Sequence, residues 1–272
     1  MRLLTYNIHY WARLDGQPNI SDVIQLLRES RADVIGLNEV LHPLHTPAGN
    51  RYPLVEVAEA LGMYWAFGPT FHQGTPRFWP GTLGNAILSR YPIREVRNIP
   101  LQPVTWRKPR SLFQTVLDVD GVLFTVFVTH LDHLLAPIRR RQFETIASLL
   151  QQTHGPHVLM GDLNTHTPVR SRIWQGETLI RHLRAMGYVD AFAAVGMGDG
   201  RSYPTRFPLA RLDYIWVPRL WANALQRAHV ITSPQARRAS DHFPVWVEWL
   251  WLGSYRRRSS TAEVHVHPVQ AG

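Results

Sequence analysis

Short apolar runs alternate with amphipathic stretches along the chain, the pattern of a mixed α/β protein. Leu3–Ile8 predicts a strand. Ser21 reads as the N-cap of a helix over Asp22–Ser30, because Val23, Ile24, Leu26 and Leu27 share one helical face. Asp33–Leu37 predicts a second strand that ends at Asn38-Glu39, and Leu54–Leu61 a helix stopped by Gly62. Asn85–Leu88 predicts a strand ending before Ser89-Arg90. Phe113–Val119 and Leu123–Thr129 predict a hairpin around Asp120-Gly121, a favoured two-residue turn. Ile138–Gln151 is an amphipathic helix, His157–Met160 a short buried strand, and Thr178–Met186 a helix closed by Gly187. Leu212–Val217 and Pro244–Trp251 are the last two strands.

No repeat or change of composition interrupts this pattern, so residues 1–252 read as one domain. Residues 253–272 are polar and basic without periodicity and read as a disordered tail. Residues 69–82, rich in proline, glycine and aromatics, read as one long loop of the kind that carries function. Phe243–Leu252 is the most apolar stretch. It is shorter than the ~20 residues that span a bilayer and contains Glu248. The apolar run after Met1-Arg2 is too short for a signal peptide, so a soluble, cytoplasmic protein is expected.

Composition adds three constraints. With 272 residues, 45% of them hydrophobic, the chain can bury a core without covalent staples. It has no cysteine, which excludes disulfides, zinc–thiolate sites and a cysteine nucleophile. The net charge is +9 and Lys108 is the only lysine. Codon bias can produce that skew, yet guanidinium forks suit phosphate oxygens whatever their origin.

Five polar motifs close the apolar runs. Thr5-Tyr6-Asn7-Ile8-His9 places Asn7 and His9 two apart at a strand end. Ile35-Gly36-Leu37-Asn38-Glu39 ends a strand in a carboxylate, a usual way to aim a ligand at a hard cation. Thr129-His130-Leu131-Asp132-His133 puts His130 where it can donate to a phosphate oxygen. In Gly161-Asp162-Leu163-Asn164, a carboxylate and an amide two apart can orient a water and hold a phosphoryl group, and Gly161 allows close backbone approach. The fifth motif is a pair, Arg211-Leu212-Asp213 and Ser240-Asp241-His242, with the ingredients of a histidine oriented by a carboxylate. Each motif alone is as easily a turn, a cap or a buried polar residue.

Taken in order, from Leu4 to about Trp249, these motifs resemble the endonuclease/exonuclease/phosphatase superfamily, which includes DNase I-like nucleases, abasic-site endonucleases and neutral sphingomyelinases. The resemblance implies a four-layered α/β/β/α sandwich of two packed mixed β-sheets, with the site at one rim. It implies Mg²⁺ or Mn²⁺ held by Glu39 with Asn7 and Asp241, and catalytic roles for His130, Asp162, Asn164, Asp213 and His242. Asp213 would hold His242, with His242 or Asp162 activating the water. His9, Asn85 and Arg139 are implied as substrate contacts. Abasic-site endonucleases usually carry an acidic residue in place of His9 and Gln-Glu in place of Asn38-Glu39. The chain therefore looks more like the bacterial metal-dependent hydrolases near the sphingomyelinase-like branch.

Three functions are weighed. The first is a phosphodiesterase acting on a lipid head group or small diester, with peripheral contact to an anionic surface; Tyr10, Trp11, Phe71, Phe78 and Trp79 would supply rim aromatics. The second is a nuclease for DNA or RNA, favoured by the charge and by the clusters Arg107-Lys108-Arg110, Arg139–Arg141 and Arg237-Arg238. The third is a non-catalytic binding module, disfavoured because every implied catalytic position holds a chemically competent residue.

Overall fold

The computed structural model of the chain describes residues 1–70, 81–101, 109–165 and 178–251. The rim aromatics Phe71, Phe78 and Trp79, the pair Arg107-Lys108 and the tail 253–272 lie outside the described residues.

In chain order the elements are β1 (Arg2–Asn7), α1 (Ile20–Ser30), β2 (Val34–Thr46), β3 (Gly49–Arg51), α2 (Pro53–Leu61), β4 (Tyr64–Pro69) and β5 (Gly81–Ser89). Then come β6 (Ile93–Leu101), β7 (Arg110–Val119), β8 (Val122–His130), α3 (Ala136–Gln152), β9 (His157–Asp162), α4 (Thr178–Ala185), β10 (Tyr188–Asp190) and α5 (Ala191–Val195). The last are β11 (Asp213–Pro218), α6 (Arg219–Ala222), β12 (Leu225–Val230), α7 (Pro234–Ala239) and β13 (Val245–Trp249).

One sheet runs β12-β13-β1-β2-β5-β4, with β3 on β2; the other runs β10-β11-β9-β8-β7-β6. Each has one parallel pair, β1–β2 and β8–β9, among antiparallel neighbours, so both sheets are mixed. The sheets face each other across an apolar layer that includes Leu3, Val34, Val126, Val128, Val158 and Met160. Contact there is tight enough that a Cβ on Gly36 would stand 2.9 Å from the Met160 sulfur. A second cluster with Phe127, Phe143, Ile146, Leu159 and Leu183 seats α3 and α4 on the outer face of the second sheet. β9 is therefore buried on both faces, which is why His157-Val158-Leu159-Met160 reads as an unbroken apolar run rather than an alternating one.

Most predicted elements are present with shifted boundaries: β13 and α4 are shorter than expected, and β2, expected to end at Asn38-Glu39, runs on to Thr46 because it pairs with β5 beyond them. Asp120 and Gly121, both at positive φ (55° and 83°), make the hairpin turn. Gly62 takes the left-handed C-cap of α2 (φ 62°). α1 begins at Ile20, so Ser21 lies inside its first turn. Asn19 occupies the cap position, but its amide donates instead to the carbonyls of Ile8 and Ala239. β4, β6 and β12 are absent from the sequence expectation. β6 is an edge strand whose residues Arg94 to Arg97 are exposed. In β12 a register shift between Leu225 and Arg227 breaks the two-residue period that would have revealed it.

Candidate active site

Strand pairing brings the motifs to one rim. β1 and β2 are parallel with Asn7, the last residue of β1, opposite Asn38, so Asn7 and Glu39 lie near each other at the point where β1 ends and β2 runs on. In the second sheet Asp162 stands opposite His130 on one neighbour and Asp213 on the other. The loop entering β13 adds Asp241 and His242. The result is a pocket of about 330 Å³ whose wall includes Asn7, Glu39, His130, Asp162, Asn164, Asp241 and His242.

Asp213 lies behind that wall, fully buried, and its Oδ2 accepts a hydrogen bond from His242 Nδ1 at 2.8 Å. Nδ1 is thereby occupied and Nε2 is directed to the pocket side, 3.6 Å from Asp162 Oδ2. Asp162 Oδ2 also accepts from the Asn7 amide at 3.1 Å and lies 3.4 Å from His130 Nε2. Its other oxygen accepts the backbone N–H of Asn164, whose own amide donates to the Leu131 carbonyl. Gly161 permits this approach: it sits at φ 138°, and a Cβ there would lie 1.9 Å from the Thr129 carbonyl oxygen.

Asn38 ties the two sheets together. Its Oδ1 accepts from Asp162 N–H at 2.9 Å, and its amide donates to Asn85 Oδ1 at 2.9 Å and to the Thr129 carbonyl at 3.1 Å. A register irregularity between Leu37 and Val40 puts Glu39 at φ 57° and turns it out of the sheet. Tyr10 donates its hydroxyl to Glu39 Oε1 at 3.0 Å from a left-handed turn in which His9, Tyr10 and Trp11 all have positive φ. Each such residue costs on the order of 1–3 kcal/mol. Buried Trp11, bonded through Nε1 to the Leu41 carbonyl, holds the turn in place.

Three of the residues implied as substrate contacts lie off the wall. β1 ends at Asn7, so His9 does not share a strand face with it; its ring faces the Ala12 carbonyl. Asn85 is buried between Asn38 and the Ser111 carbonyl. Arg139 is buried on α3 and donates to the Asp132 carbonyl, bracing the loop that carries His133. The wall also contains Tyr10, expected as a rim aromatic, and residues to which the motifs gave no role: Arg110, His133, Tyr203 and Leu212. Arg110 was legible only as part of a basic cluster. Tyr203, whose ring centroid is 4.7 Å from that of His242, comes from a loop with no periodic signal.

Electrostatics divide the pocket. Burial raises the Glu39 carboxyl above its ordinary value, and the charge of Asp241 raises it further. Burial also raises Asp162, to about 7, with Asp213 acting in the same sense and His242 against it. At His242 burial works downward, but the charges of Asp213 and Asp162 outweigh it and push the imidazole up to about 10.

A divalent metal fits this donor set on the Glu39 side. The groups there are oxygen donors, the carboxylates of Glu39 and Asp241 and the amide of Asn7, the chemistry that Mg²⁺ and Mn²⁺ prefer. The Asp241 charge raises the cost of ionising Glu39, which a cation would relieve. Asp162, Asp213 and His242 also place ligand atoms within 4.8 Å of one another. An ion bound there through Nδ1 would have to break the 2.8 Å bond to Asp213.

Residues 4–242 match the family model described as endonuclease/exonuclease/phosphatase family. The chain belongs to this family. Membership supports phosphoester hydrolysis as the general activity. Among curated proteins, the family member is similar to the uncharacterized protein YbhP of Escherichia coli (strain K12), 27% identical over 91% of this chain and 95% of the relative. Among solved structures it resembles the endonuclease/exonuclease/phosphatase from Beutenbergia cavernae (TM-score 0.73, 24% identity, 91% of this chain and 70% of that one). It also resembles the Bacteroides thetaiotaomicron mannosyl-6-phosphatase Bt3783 (0.72, 19%, 92% and 100%) and the 3′ phosphatase NExo from Neisseria bound to a product DNA hairpin (0.68, 20%, 92% and 100%). These likenesses establish the fold, a DNase I-like mixed α/β architecture of two packed sheets flanked by helices.

Proposed function

We propose that this chain is a metal-dependent phosphoester hydrolase in which water attacks phosphorus directly. One observation carries the reading: seven polar residues from five segments far apart in the chain meet in one pocket, with His242 already held by buried Asp213. Glu39, with Asn7 and Asp241, would hold Mg²⁺ or Mn²⁺. A bound divalent ion would offset charge on the phosphoryl oxygens and acidify a water.

The chain's own residues do the rest. His130 and Asn164 face the space where phosphoryl oxygens would gather and can donate to them as charge builds in the transition state. Asp213 fixes the orientation of His242, leaving Nε2 to exchange a proton inside the pocket. Asp162, held by the Asn7 amide and the Asn164 N–H, stands beside Nε2 as its proton partner. The oxygen–phosphorus bond from water forms as the ester oxygen–phosphorus bond breaks. The water's proton goes to the His242–Asp162 pair and the leaving oxygen takes a proton back.

The sequence favours a small diester or lipid head group, and the modest pocket agrees with a small ester. The fold neighbours described as phosphatases, one for mannosyl 6-phosphate and one at a DNA 3′ end, extend the choice to terminal phosphates. A nuclease activity is the second reading, favoured by the +9 charge. Purified protein with Mg²⁺ or Mn²⁺, offered bis-p-nitrophenyl phosphate, p-nitrophenyl phosphate, sphingomyelin, RNA and plasmid DNA, tests these readings together. Turnover of any of them that is lost with EDTA and in Glu39→Ala supports the hydrolase. No turnover of any ester by pure, folded protein would overturn it.

A further inference from the structure

Among the described residues Arg110 is the one guanidinium on the pocket wall, and the proposed reaction does not use it. It opens β7 at the same rim as Glu39 and Asp162, and its side chain is only 6% exposed. Among the described residues its guanidinium makes neither a hydrogen bond nor an ion pair, and its Nε is buried without a partner. A buried arginine is ordinarily paired, because an uncompensated charge is costly to bury. Contrast Arg211, equally buried, whose guanidinium is closed on Asp190 by a two-point salt bridge. Arg110 instead lines the pocket, with the charges of Glu39 and Asp162 as its main electrostatic neighbours.

We propose that Arg110 is a specificity residue that selects a terminal phosphate, a phosphomonoester, by receiving the oxygen that a diester lacks as a free charge. This rests on the hydrolase reading above. A diester presents two non-bridging oxygens and one negative charge. A monoester presents three such oxygens and close to two charges at neutral pH. His130, Asn164 and a cation at Glu39 serve the oxygens common to both esters. The additional oxygen and charge call for a further permanent cation with several donors, which a guanidinium supplies and an ammonium supplies less well. The pocket is also small: about 330 Å³ admits a phosphoryl group and a compact alcohol or sugar on its one ester bond. The bland alternative is that Arg110 merely offsets Glu39. In that case its loss would disturb metal and both esters alike.

The test uses the full chain with saturating Mn²⁺, p-nitrophenyl phosphate as monoester, bis-p-nitrophenyl phosphate as diester, and inorganic phosphate as competing product. The wild type should prefer the monoester in kcat/KM. Arg110→Met should lose about 10- to 100-fold on the monoester, the range of a charge-assisted hydrogen bond, and change less than about fivefold on the diester, where that bond is not made. Its inhibition by phosphate should weaken at least about tenfold, since product phosphate makes the same contact. Arg110→Lys, which keeps the charge and guards against a variant that misfolds, should recover part of the monoester rate. Equal losses on both esters, or unchanged phosphate inhibition in a folded variant, would overturn the proposal. A wild type that cleaves only diesters would overturn the terminal-phosphate assignment and leave the hydrolase reading standing. If neither ester is cleaved, calorimetric phosphate binding that is lost in Arg110→Met would sink the hydrolase reading while retaining Arg110 as the anion fork.

Discussion

The two halves of the pocket wall are built on opposite principles. On the second-sheet side, His242 is bonded to Asp213, Asp162 accepts from Asn7 and Asn164, and Asn38 locks Asp162's backbone. On the Glu39 side, the carboxylate has one short partner in Tyr10, and among the described residues the Asp241 carboxylate accepts only from the Ser240 hydroxyl and Arg110 has no partner. The first half is wired before any ligand arrives; the second keeps its charges open. Fixed groups suit proton transfer, where small displacements cost rate. Open charges suit ligands that bring their own opposite charge, such as a cation or a phosphate.

The largest effect should come from breaking the wired half. Asp213→Asn keeps the shape but removes the charge that holds and orients the imidazole, and should lower kcat on the order of 10³- to 10⁴-fold with little change in melting temperature. Steady-state rates beside a thermal melt check this, and an active Asp213→Asn enzyme would remove the dyad from the mechanism.

The next effect concerns what holds that half in place. The Arg211–Asp190 pair lies two residues before Asp213, and Asp190 also caps α5 through the Ala193 N–H. Asp190→Ala should destabilise the protein by about 3–5 kcal/mol because it takes the paired carboxylate away from a buried guanidinium. Urea unfolding measures it, and a loss below about 1 kcal/mol, the scale of an exposed pair, would show that Arg211 finds water instead.

A smaller effect belongs to the open half. Glu39→Gln keeps an acceptor for the Tyr10 hydroxyl but removes the carboxylate charge beside Asp241. It should weaken Mn²⁺ binding about 10- to 100-fold, read by calorimetry, while the His242–Asp213 pair stays intact. Undiminished Mn²⁺ affinity would move the metal to Asp162, Asp213 and His242.

The smallest effect is remote from both halves. Burial lowers the proton affinity of His157, which faces Tyr188 and the Gly155 carbonyl. Its folded value lies below the unfolded value of about 6.5. Its contribution is therefore complete above that pH and is lost as pH falls toward the folded value. His157→Gln should show a shallower fall in melting temperature between pH 7 and pH 5 than the wild type. Parallel curves would show that His157 does not contribute to the acid sensitivity.

Residues were legible in the sequence where a strand ended in a polar motif. Asn7 and Asp162 close their strands and His242 shortly precedes one, whereas Glu39, expected at a strand end, lies inside β2 at the irregularity between Leu37 and Val40. The same reasoning failed at His9, because the chain leaves the strand after Asn7 and turns left-handed. It failed at Asn85 because a strand residue can point between the sheets as easily as into a pocket. Arg110 and Tyr203 carried no motif, and neither local period nor composition marks a residue as lacking a partner.

By itself the sequence determined the alternation of elements, the fold family and the residue types available for chemistry, since these follow from local periodicity and short motifs. The tertiary structure decided which of those residues face one another. Asp213 and His242 are 29 residues apart and Asn7 and Asp162 are 155 apart, yet each pair is hydrogen-bonded. It also decided which charges are already paired and which stay open to a ligand, because pairing depends on sheet register and on the closeness of two packed sheets. Neither is written in any single stretch of the chain.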